Sequence, residues 1–150
     1  MLNVSADYAL RAVLCVAQPK GGRAWTTSSI AKATGIPRNY LGKVLHALVG
    51  AGVLASVRGP HGGFRLAVPA TEMTLADVAA PFQKLPERSL CLLGNRPCDR
   101  TRPCIAHRRW QEASDQVTSF FRGTTIAAML AGDASTDPSH NGAPHDKAAG

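Results

Sequence analysis

Cys91, Cys98, Cys104 and His107 stand in one short, arginine-rich segment, CLLGNRPCDRTRPCIAHRRW, separated by gaps of six, five and two residues. Thiolates and imidazole are the donors of structural zinc sites and of iron–sulfur clusters. Zinc knuckles pair their first two cysteines two to four residues apart, and this segment does not. Wider gaps let a loop wrap a centre larger than one ion. The spacing therefore leans toward an iron–sulfur cluster, with structural zinc and a metal-free thiol switch as the alternatives. Seven Lys/Arg against two acids between residues 84 and 109 would offset the negative charge of thiolates and sulfides.

Something must hold that segment and use it. The chain has 150 residues, 45% of them apolar, which suits one ordinary domain or a small domain with a helical appendage. Four cysteines without a secretory start favour ligation or redox chemistry over a disulfide scaffold, so the expected compartment is the cytoplasm. No run of about 18 apolar residues is present to span a membrane. The formal net charge is +7, and residues 1 to 69 carry eight Lys/Arg against one acid, Asp7. Such a field points to nucleic acid as the partner.

The local signals sharpen that. SADYALRAVLCVAQ predicts a helix started by Ser5 or Asp7, with Tyr8, Leu10, Val13, Leu14 and Ala17 on its apolar face and Cys15 as a core thiol. TTSSIAKATGI predicts a short helix broken at Gly35. PRNYLGKVLHALVGAG predicts the next, with Tyr40, Leu41, Val44, Leu45 and Leu48 buried. Helix, short turn, helix is the arrangement that places a second helix in the major groove. Arg38, Asn39 and Lys43 are its early exposed positions, suited to guanine, adenine and phosphate respectively. His46 reads as an ordinary surface or half-buried imidazole. VLASV and FRLAV predict a hairpin around Gly59-Pro60-His61-Gly62-Gly63, a wing with Arg58 and Arg65 at its shoulders. No P-loop or other catalytic motif is present, and Asp7, Cys15 and His46 are too scattered to form a nucleophile and base.

TLADVAAPF predicts a short helix opened by Thr74, and a long helix is expected from Cys104, with Trp110, Ala113, Val117, Phe120 and Phe121 along one stripe. That stripe suits pairing with a second copy, since DNA readers of this kind meet paired half-sites as dimers. TTIAAML predicts a last short helix. The expected division is a winged helix-turn-helix domain over 1–70, a helical region with the cysteine loop and dimerisation helix over 71–131, and a disordered tail over 132–150. The fold class is mainly α with a small β wing.

DYALRA, GIPRNYLGKVLHALVGAGVL, VRGPHGGFRL and the Cys91, Cys98, Cys104 triplet together resemble the Rrf-type (IscR/NsrR-like) family of iron–sulfur winged-helix transcriptional regulators, from about residue 3 to residue 131. The resemblance implies a homodimer on a palindromic double-stranded DNA operator, with the cysteine loop of one subunit near the DNA-binding domain of the other. It implies a [2Fe–2S] or [4Fe–4S] cluster on Cys91, Cys98 and Cys104. His107 matches the fourth ligand of the assembly regulators in the family, and Asp7 matches that of some nitric-oxide sensors. Where assembly regulators carry a glutamate in the recognition helix, this chain has Gly42, and its first cysteine gap is six residues rather than five. The implied function is repression relieved by nitric oxide, redox stress or iron limitation. A zinc-stabilised or thiol-redox regulator, or a metal-stabilised architectural DNA-binding protein, are the other readings.

Overall fold

Asn3 opens the first helix, α1 (Val4–Ala17), by accepting the Ala6 N–H on its side-chain oxygen at 2.8 Å. The expected caps, Ser5 and Asp7, lie inside the helix instead. The structure is a computed structural model and describes residues 2–85 and 103–132. Cys91, Cys98 and the tail beyond Gly132 lie outside the described residues.

α1 is the hub, packed against the helices α2 (Thr27–Thr34), α3 (Arg38–Gly50), α4 (Leu75–Ala79) and α6 (Ile126–Ala131) and against strand β2 (Gly63–Leu66). That position explains its buried set: Ala6, Ala9, Leu10, Ala12, Val13, Cys15 and Val16. A helix touched on several sides needs short side chains to let its neighbours approach. Tyr8, Leu14 and Ala17, expected on the buried face, are only partly covered. Cys15 is in the core as expected, and burial pushes its thiol pKa up, with Lys20 opposing weakly.

α2 (Thr27–Thr34) is fixed by a capping box in which Thr26 and Ser29 satisfy each other's backbone N–H, and Gly35 closes it in the left-handed conformation. α3 (Arg38–Gly50) follows after Pro37, which sits at the cap rather than in the first turn. Leu41, Val44, Leu45 and Leu48 are buried as expected. Tyr40 is not. It is 59% exposed, its ring edge-on to Tyr8 with centroids 6.3 Å apart. Its place on the helix turns it away from the core, and the phenol ring of α1 covers one side of it.

β1 (Leu54–Val57) and β2 (Gly63–Leu66) pair antiparallel in the register Leu54 with Leu66 through Val57 with Gly63. Trp25 adds a third, one-residue strand: its N–H donates to the Phe64 carbonyl at 3.0 Å, and the Phe64 N–H donates back at 2.7 Å. Gly63 makes that approach possible, because a Cβ there would lie 2.4 Å from the Trp25 carbonyl oxygen. Gly63→Ala is expected to cost about 1–3 kcal/mol and to detach Trp25 from the wing. Hydrogen exchange at the Phe64 amide checks this; unchanged protection would show that the sheet absorbs the methyl group.

α4 (Leu75–Ala79) starts from a second capping box, Thr74 with Asp77, at the predicted residue. α5 (His107–Gly123) begins at His107, three residues later than expected. Cys104 therefore precedes the helix, and the two candidate ligands do not share it. α6 (Ile126–Ala131) then returns the chain to the winged core. The Ile126 N–H donates to the Met73 carbonyl at 2.8 Å, and the Leu75 N–H donates to the Thr124 carbonyl at 3.0 Å. Met73, Leu75, Val78 and Ile126 share one core with α1, α2 and α3. Along α5 only Ser114 is buried; Trp110, Val117 and Phe121 are half-covered, Ala113 is exposed and Phe120 is 52% exposed. No helix among the described residues is long and apolar enough to cross a membrane.

Candidate DNA interface and cysteine segment

The buried stripe of α3 faces α1, which leaves Arg38, Asn39, Lys43 and His46 exposed on its other side. Arg58 and His61 are exposed in the loop between β1 and β2. The Gly62 N–H closes that loop by donating to the Gly59 carbonyl at 2.9 Å. The only acid of residues 1 to 69, Asp7, lies on α1, 3.6 Å from Arg11. Helix and wing therefore present cations without carboxylates between them.

Arg65, at the other shoulder of the wing, is also held by a hydrogen bond. Although exposed, its guanidinium donates to the Gly22 carbonyl at 2.8 Å, tying β2 to the loop between α1 and α2. In that loop Lys20 sits 4.3 Å above the Trp25 ring, and the Trp25 indole N–H donates to the Gln18 carbonyl at 3.2 Å. Sequence spacing carries no sign of the Arg65–Gly22 bond, which joins residues 43 apart.

Cys104 is a free, half-buried thiol at the foot of α5, and the His107 N–H donates to its carbonyl at 3.0 Å. A thiol and an imidazole three residues apart, in a half-covered setting, fit the donor chemistry of a cluster edge or a zinc ion. Among the described residues no three Cys, His, Asp or Glu side chains gather for a metal. Asp7 is half-exposed in its ion pair, a kind worth about 0–1 kcal/mol, so little holds it back from another partner. Arg11 also donates to the Thr34 carbonyl at the end of α2. At the start of α1, the Asn3 amide group donates to the Phe82 carbonyl at 2.8 Å, and its backbone N–H donates to the Gln83 side chain at 2.6 Å. α1 thus contacts both α2 and α3 and the chain that leads into the cysteine segment.

The family model of Rrf2, an iron-dependent transcriptional regulator, matches residues 2–132. The chain belongs to the Rrf2 family. It is 38% identical over 125 residues to a protein of Aquifex aeolicus described as an HTH-type transcriptional regulator, covering 82% of this chain and 86% of that one. It is 30% identical over 129 residues to the HTH-type transcriptional regulator IscR of Vibrio atlanticus, covering 86% and 74%. In fold it is similar to CymR, the global cysteine regulator of B. subtilis, with a TM-score of 0.74 at 20% identity, covering 87% and 96%. IscR of T. potens superposes with a TM-score of 0.69 at 23% identity, covering 87% and 86%. As an Rrf2 protein the chain is a DNA-binding winged helix-turn-helix transcriptional regulator, not an enzyme.

Proposed function

We propose that this Rrf2 protein is a cytoplasmic, homodimeric repressor whose affinity for a palindromic operator is set by an iron–sulfur cluster. The observation that carries the DNA part is the acid-free face formed by α3 and the wing. Arg38, Asn39 and Lys43 enter the major groove, while Arg58 and His61 meet the backbone or minor groove. Arg65 meets the DNA backbone beside them and also braces the wing through its bond to Gly22. Residues 1–70 are the reading unit and 71–131 the regulatory and dimerising unit, built on a common core, with 132–150 as a tail. The half-covered Trp110, Val117 and Phe121 and the exposed Phe120 of α5 are the surface that a second copy covers.

The cluster, [2Fe–2S] or [4Fe–4S], is held by Cys91, Cys98 and Cys104 with His107 or Asp7 as the fourth ligand. Family membership supports this, as does the Cys104–His107 pair. When bound, such a cluster supplies a redox- and nitric-oxide-reactive centre, and its supply follows iron status. What the chain itself provides is a path from Phe82 and Gln83, which precede that segment in sequence, through Asn3 and α1 to α2 and α3.

Arg58→Ala tests the reading face. A phosphate contact predicts weaker binding to every duplex and a salt slope smaller by about one. Insertion into a narrow minor groove predicts a loss that depends on local sequence. Unchanged binding in a salt-resolved gel-shift titration would remove Arg58 from the interface.

A further inference from the structure

Two glycines lie within α3, where each weakens the helix relative to alanine. Gly42 is the informative one. A Cβ built on it meets nothing within 4 Å, so neither packing nor backbone conformation of the fold requires a glycine there. It lies on the exposed side of α3 with Asn39, Lys43 and His46, all four solvent-facing. Positions 39, 42, 43 and 46 follow the spacing i, i+3, i+4, i+7, which aligns them along one helix face. Homeodomain recognition helices read base edges from positions with this same spacing. From Asn39 to His46 the helix rises about 10 Å, or about three base steps of duplex.

We propose that Asn39, Lys43 and His46 form one base-reading strip and that Gly42 is a gap in it, kept side-chain-free so that the α3 backbone seats deeply in the major groove. His46 is the specificity-determining residue at the far end of the strip. Its imidazole offers a donor and an acceptor to base edges, whereas the cationic side chains of Arg38 and Lys43 offer donors only. A neutral glycine, with no side chain to clash, also leaves Asn39 and His46 room on either side. The inference rests on the DNA-reading role of α3 and adds two residues to it.

The test uses the full chain and a pool of random duplex DNA, from which the wild-type protein selects its preferred sites. Gly42→Ala is expected to raise the thermal midpoint by about 2–8 °C, through helix propensity, while weakening binding to the selected site by about tenfold. Opposite signs in the two measurements distinguish a reading gap from a structural glycine. His46→Ala is expected to relax preference at one base pair by about 5–150-fold without changing the salt slope. Wild-type affinity in Gly42→Ala, or an unaltered base preference in His46→Ala, overturns the strip. If the wild-type chain selects no duplex at all, the DNA-reading role of α3 falls and the strip with it.

Discussion

Ile126→Ala is expected to lower the stability of the whole winged core by about 2–5 kcal/mol. Ile126 is fully buried, and it belongs to α6, outside the first 70 residues where the helix-turn-helix and wing are found. It fills the core beside Met73 and Val78, and its own N–H bonds the Met73 carbonyl. The cavity left by alanine cannot collapse readily, because the chain on both sides is pinned by the bonds from Leu75 to Thr124 and from Ala127 to Ala70. The thermal midpoint should fall by roughly 10 °C. His61→Ala, on an exposed wing residue, should leave stability within about 0.5 kcal/mol and serves as the comparison. A midpoint moved by no more than that of His61→Ala would mean that α6 is an appendage and not a part of the core.

Cys104→Ala should remove iron and lower operator affinity by about 5–150-fold, the range of an allosteric coupling of ~1–3 kcal/mol. The thiol stands where α5 begins, and α5 leads through Thr124 and α6 into the core. Ligation there would fix the foot of α5, and with it, in the proposed dimer, the spacing of the two copies of α3. Mössbauer spectra of anaerobically prepared protein decide the cluster type, and operator titrations before and after cluster loss measure the coupling. A [2Fe–2S] signal altered by His107→Ala assigns the histidine as ligand; a [4Fe–4S] signal altered by Asp7→Ala assigns the aspartate. Zinc found by elemental analysis, or colourless metal-free protein with intact regulation, would replace the cluster by the zinc or thiol reading. Equal affinity with and without the cluster would defeat the switch.

Much of the reading unit is legible in the chain because its signals are local. Thr26 with Ser29 and Thr74 with Asp77 are capping boxes, and Gly35 and the wing glycines sit where backbone geometry calls for them. The buried face of α1 is harder to read, since Ala6, Ala9 and Ala12 carry little apolar signal and are buried only because neighbours close in on several sides. Tyr40 counts as apolar in a periodicity, yet its partner is Tyr8 at the surface. The true start of α5 escapes notice because Ala106, at its cap, makes no side-chain bond that would mark the boundary. Arg65 is drawn to Gly22, and Ile126 to Met73, across stretches of chain that no local pattern spans.

The bonds between residues 70–75 and 124–127 also bear on how the protein is born. During synthesis the helix-turn-helix and wing emerge first, but Met73, Leu75 and Val78 have no Ile126 to meet until the ribosome has translated past α5. Until then an apolar patch on the nascent chain stays open to water, and to chaperones that bind such patches. A regulator truncated before residue 126 would thus carry every side chain of the proposed reading face and still lack a closed core. Premature stop codons late in the gene should produce degraded protein rather than a constitutive DNA binder.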